Sequence, residues 1–121
     1  MSEILITNNS LVLERLSDKY KTEFIDGSLD DVFETLRALI HKGHRLLTHP
    51  LSGSVKPNQT PYKSVLISSD RGELDLNSLM IIENSIETLK KLPKRPESYP
   101  DRILDDFKTV DLSLIESVKT T

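Results

Sequence analysis

The chain contains no cysteine. Disulfides, thiolate nucleophiles and cysteine-ligated zinc or iron–sulfur centres are therefore excluded. Aromatic residues are scarce, at 5%, so Leu, Ile and Val must build the core. Long apolar runs are missing too. Ile4, Leu5 and Ile6 give way at once to Thr7, Asn8 and Asn9, too short a segment for export. No span approaches membrane length. Nor does one sign of charge dominate, since 19 carboxylates face 16 Lys and Arg. That balance supports solubility and gives no hint of a nucleic-acid or membrane partner. The nucleotide fingerprints GxGxxG and GxxxxGKS are absent, and no cofactor is expected. These absences predict a soluble, cytoplasmic protein.

What is present fits one domain. At 121 residues the chain can bury roughly two-thirds of its unfolded surface. Glu3–Thr7 is short, apolar and β-branched and reads as a buried strand. Asn8, Asn9 and Ser10 are each good N-caps for a short helix through Leu11, Val12, Arg15 and Leu16. A second strand is expected over Thr22–Ile25, closed by the turn dipeptide Asp26-Gly27. Ser28 then opens the clearest helix, running to Lys42, with Asp31 supplying a capping box in Asp form. Leu29, Val32, Phe33, Leu36, Leu39 and Ile40 share one face, and Gly43 ends the helix.

His44–Thr48 reads as a third strand and Ser64–Ser69 as a fourth. Leu76–Leu92 is a second long helix, stopped by Pro93 and Pro96. Lys90, Lys91, Lys94 and Arg95 form a basic cluster at its end, which reads as a solvated helix terminus. Residues 93–121 are expected to be a helical tail docked on the domain, broken near Asp111. The alternation predicts an α/β three-layer sandwich: a small, mostly parallel sheet of about four strands with helices on both faces. The first three strands should run parallel, with the direction of the fourth left open. Leu36, Ile40, Leu47, Leu66, Ile82 and Ile86 should be buried.

The segment HKGHRLLTHPLSGSVKPNQTPYKS, His41 to Ser64, is the most informative part of the chain. A helix-free connection of this length is usually functional or disordered. Pro50, Pro57 and Pro61 favour a stiff, ordered loop over Pro50–Lys63. In an open α/β sheet, ligands bind beyond the carboxyl ends of the strands. Two segments converge there: Asn8 and Asn9 after the first strand, and His49, Ser52, Gly53, Ser54 and Lys56 after the third. The first and third strands are expected to be neighbours at the centre of the sheet, so these loops should meet around one concavity. Helix N–H groups, hydroxyls and the Lys56 ammonium would then cradle a small anion. The plainer reading is that Asn and Ser cap and turn.

The histidines divide by position. His41 suits the C-terminal end of a helix. His44 suits a half-buried strand site bonded to backbone. His49 is the candidate for ligand contact or proton transfer, and the catalytic residue if there is one. A metal site is not expected. No carboxylate accompanies the histidines at a recognised spacing, and His44 and His49 would face opposite sides of a strand. Ser52, Ser54 and His49 lack a nucleophile elbow. Tyr62 and Lys63 either bond an anion or end the loop.

The run GHRLLTHPLSGSVKPNQTPYKS and the opening ILITNNSLV resemble the GrdX family over roughly the first seventy residues. These are small proteins encoded beside glycine, sarcosine and betaine reductase in amino-acid-fermenting anaerobes. The resemblance implies a cytoplasmic accessory protein of selenium-dependent amino-acid reduction, whose partners are components of that reductase complex. It transfers no catalytic residue. Absence of cysteine fits an accessory, not a subunit that performs the thiol or selenol step. The competing expectation is a small enzyme using His49 as acid–base on an amino-acid derivative or acyl phosphate. A purely structural interaction module is the third.

Overall fold

The computed structural model describes residues 3–51 and 59–118. The expected order of the whole Pro50–Lys63 loop therefore falls partly outside the described residues. The first strand, β1 (Glu3–Thr7), leads into the seven-residue helix α1 (Ser10–Leu16). Asn9 caps α1 by accepting the Leu11 N–H at 3.0 Å. The chain returns as β2 (Lys21–Phe24), parallel to β1. Next comes α2 (Leu29–His41), opened by the expected capping box. The Asp31 N–H donates to Ser28 Oγ at 3.2 Å, and the Ser28 N–H to Asp31 Oδ2 at 2.9 Å. Gly43 ends α2 at φ 104°, the left-handed side of the map that favours glycine.

Strand β3 (Ser64–Ser68) runs antiparallel to β1, and the sheet order is β2-β1-β3. Two helices follow, α3 (Leu76–Lys91) and α4 (Asp101–Glu116). Asp75 caps α3, and hydrogen bonds from Ser78 hold its carboxyl below the usual range. The tail helix is continuous through Asp111, where the sequence suggested a break.

The sheet has three strands and is mixed, not four and mostly parallel. The expected third strand, 44–48, is reduced to a bridge between Leu46 and Ile67. It does run in the direction of β1, because it and β1 are both antiparallel to β3. The two are not neighbours, since β3 lies between them. Side chains replace the missing ladder. The Arg45 N–H donates to Ser68 Oγ, Leu46 N–H to Ser78 Oγ, and Leu66 N–H to Thr48 Oγ1. The Leu47 and Thr48 N–H groups both reach the Leu66 carbonyl, at 2.8 and 3.3 Å, which breaks the register. Leu46 packs on the core, so strand alternation turns Leu47 outward, where it is 41% exposed instead of buried.

Alternation also splits the core in two. Ile6, Val65 and Ile67 face α2 and α3, meeting Val32, Phe33, Leu36, Ile40, Ile82 and Ile86. Leu5 and Leu66 face the other way and meet Val12 and Leu16 of α1 and Leu112 and Ile115 of α4. Helices thus cover both faces of the sheet. Each such fully buried aliphatic side chain contributes about 1.5–3 kcal/mol. Among the described residues no helix is long and apolar enough to cross a membrane.

Candidate functional site

The carboxyl ends of β1 and β2 and the start of β3 lie at one edge of the sheet. Polar side chains collect there because strand backbone ends and loop amides need partners. Asn8, 6% exposed, uses its whole amide. Its Nδ2 donates to the carbonyls of Gly27 (3.2 Å) and Pro61 (2.9 Å), and its Oδ1 accepts the Lys63 N–H at 3.0 Å. It therefore straps the β2–α2 turn to the segment entering β3.

Asn9 is fully buried. Its Nδ2 donates to the Lys108 carbonyl and to Asp111 Oδ2, both at 3.0 Å. Asp111, on α4 and 5% exposed, also accepts from the Ser64 N–H at 3.1 Å and Ser64 Oγ at 2.7 Å. A carboxylate can only accept, so Ser64 directs its one hydroxyl proton to Asp111. The Thr7 hydroxyl, 2.7 Å from Ser64 Oγ, must then donate to Ser64 while accepting the Asn9 N–H at 3.0 Å. Every proton in this buried chain has a direction, and it ties α4 to the sheet.

Among the described residues, two cavities open at this edge. The larger, about 820 Å³, lies beside Asn8 and the start of α2. Its walls include Gly27, Ser28, Phe33, Tyr62 and Tyr99, with Lys90, Lys94 and Arg95 from the end of α3 and the segment after it. Asp30, Glu34 and Glu97 also line it, so cations and carboxylates are mixed. Tyr99 fixes the far wall by donating to the Gln59 carbonyl at 2.6 Å and packing edge-on against Phe107, with ring centroids 5.1 Å apart. Burial and the charge of Asp105 push the Tyr62 phenol up from its ordinary value.

The smaller cavity, about 190 Å³, is lined by His49, Lys63, Ser64 and Asp111, together with Leu114, Ile115 and Val118. Lys63 is 7% exposed. Burial lowers its pKa below the ordinary lysine value, and the charge of Asp111 partly restores it. The ring of His49 is exposed, and its Nδ1 accepts the Leu51 N–H at 3.1 Å. A backbone N–H can only donate, so the neutral ring carries its proton on Nε2. His44 is structural, with Nδ1 2.7 Å from the Ser68 carbonyl, and His41 sits exposed in the last turn of α2.

Of the residues singled out in the sequence, Asn8 lines the larger cavity and His49 the smaller, while the amide of Asn9 is engaged in the polar chain. Ser52, Gly53, Ser54 and Lys56 lie outside the described residues. Asp111 was not anticipated. Its signal was a carboxylate on the same helical stripe as Phe107 and Ile115, spaced four residues from each. Among the described residues no three His, Asp or Glu side chains converge as a metal site would require.

Comparison with protein families matches residues 4–119 to the family described as GrdX-like protein. No curated protein and no solved structure matches the chain.

Proposed function

The chain belongs to the GrdX-like protein family, and on that premise we propose that it is an accessory protein of a glycine, sarcosine or betaine reductase system. It binds a small anionic ligand at the carboxyl edge of its sheet. The observation that carries the binding part is the 820 Å³ cleft beside Asn8, where the first turn of α2 faces the cationic segment Lys90–Arg95. A volume of this size lies in the range of small-molecule sites. The positive end of a helix dipole and nearby ammonium groups favour a carboxylate or phosphate. The carboxylates in the same walls suit the ammonium end of an amino acid. The test is calorimetric titration of the whole chain with phosphate, acetyl phosphate and glycine, paired with thermal melts. A charge-assisted contact contributes about 1.5–3 kcal/mol, so Lys94→Ala weakens binding about tenfold or more. If no probe binds or raises the melting temperature at millimolar concentration, the reading fails and a protein partner at this edge replaces it.

A small enzyme acting on an amino-acid derivative or acyl phosphate is the second reading, favoured by the position of His49 beside Lys63 and Asp111. With Nδ1 held by the Leu51 N–H, neutral His49 offers a donor at Nε2 instead of a base.

A further inference from the structure

The smaller cavity has a composition that the binding reading does not use. A buried lysine, a histidine and an aspartate line it together with short aliphatic side chains. At about 190 Å³ it is smaller than ordinary cofactor sites and suits a molecule of a few heavy atoms. We propose that Lys63 is a covalent attachment site for a small carbonyl compound, an aliphatic aldehyde or 2-oxo acid, held as an imine in this cavity.

The parts have separate tasks. The neutral Lys63 amine attacks the carbonyl carbon, forming the C–N bond while the π electrons pass to oxygen. One amine proton moves to that oxygen through water and gives the carbinolamine. The C–O bond then breaks, the second amine proton leaves with the hydroxyl, and one water is released. No oxidant or reductant is needed. His49 Nε2–H is the donor available to the carbonyl oxygen or to a 2-oxo acid's carboxylate. Burial favours the uncharged amine that attack requires. Asp111, held by Asn9 and Ser64, contributes a fixed charge to the site. Leu114, Ile115 and Val118 accommodate a short alkyl group. This inference does not depend on the larger cleft, and the two fail separately.

The test is reductive trapping. The full chain is incubated near neutral pH with pyruvate or with propionaldehyde, reduced with cyanoborohydride, and mapped by peptide mass spectrometry. The expected result is a dominant adduct on Lys63, with loss of tryptic cleavage after that residue, ahead of the lysines in exposed positions such as Lys19 and Lys21. Reaction with both probes identifies the carbonyl as the recognised group. Reaction with pyruvate alone adds the carboxylate as a requirement, and with propionaldehyde alone removes it. Lys63→Arg keeps a cation and loses the adduct, and His49→Ala slows trapping. Because the ranking of lysines is read on the unaltered chain, it stands even if Lys63→Arg does not fold. Labelling of Lys19 and Lys21 as fast as Lys63, or no adduct at Lys63, overturns the proposal.

Discussion

Replacing Asp111 by Ala should come close to unfolding the protein. The carboxylate accepts three hydrogen bonds in a nearly dry site: from Asn9 Nδ2 at 3.0 Å, Ser64 Oγ at 2.7 Å and the Ser64 N–H at 3.1 Å. A hydrogen bond to a charged group contributes about 1.5–3 kcal/mol. The three share one acceptor and are not additive. Breaking a buried charged network by removing one partner costs about 3–5 kcal/mol, and that is the magnitude expected. The loss includes three stranded donors and the withdrawal of a compensating charge from Lys63. Against a total of roughly 5–15 kcal/mol for a domain, little stability remains. Asp111→Asn should cost about half as much. With its amide oxygen at the Oδ2 position it still accepts from Asn9 Nδ2 and Ser64 Oγ, but its NH2 then faces the Ser64 N–H, which loses its acceptor. Urea unfolding monitored by circular dichroism measures both variants. A fall in midpoint with an unchanged m-value means global destabilisation. A smaller m-value means that α4 detaches first. A cost below about 1 kcal/mol for Asp111→Ala would refute the reasoning, since uncompensated buried donors could not be that cheap.

Two further outcomes follow from single residues. Gly43→Ala places a side chain at φ 104° and drives its Cβ into the Gly72 carbonyl oxygen; it should cost about 1–3 kcal/mol in a thermal or urea melt, and a neutral effect would mean that the turn relaxes freely. Lys63 has a folded pKa below its unfolded value, so above that folded value the unfolded chain binds the extra proton and stability rises with pH toward 10.5. Lys63→Met should flatten this slope; melts kept below pH 10.0 avoid Tyr62, whose raised phenol pKa acts with the opposite sign above its ordinary value. An identical slope in both proteins would refute the assignment.

The sequence alone determined the elements whose causes are local. The stripe from Leu29 to Ile40, the Ser28–Asp31 cap and Gly43 specify α2 within its own residues. The N-cap of α1, narrowed to Asn8, Asn9 or Ser10, and the prolines after α3 act over a few residues and were also legible. The alternation of helix and strand gave helices on both faces of a sheet. What only the tertiary structure decided depends on partners far apart in the chain. β3 inserts between β1 and residues 44–48, so those two segments are not neighbours, and hydroxyls of Thr48, Ser68 and Ser78 replace the ladder a third strand would have made. Asp111 meets Asn9 across 102 positions and Ser64 across 47. A lone carboxylate on an apolar stripe has no local cause, because its reason for burial is supplied by donors on two other elements. The two cavities beside Asn8 and Lys63 exist because that buried network docks α4 at the sheet edge, and docking is a long-range event that residue periodicity does not encode.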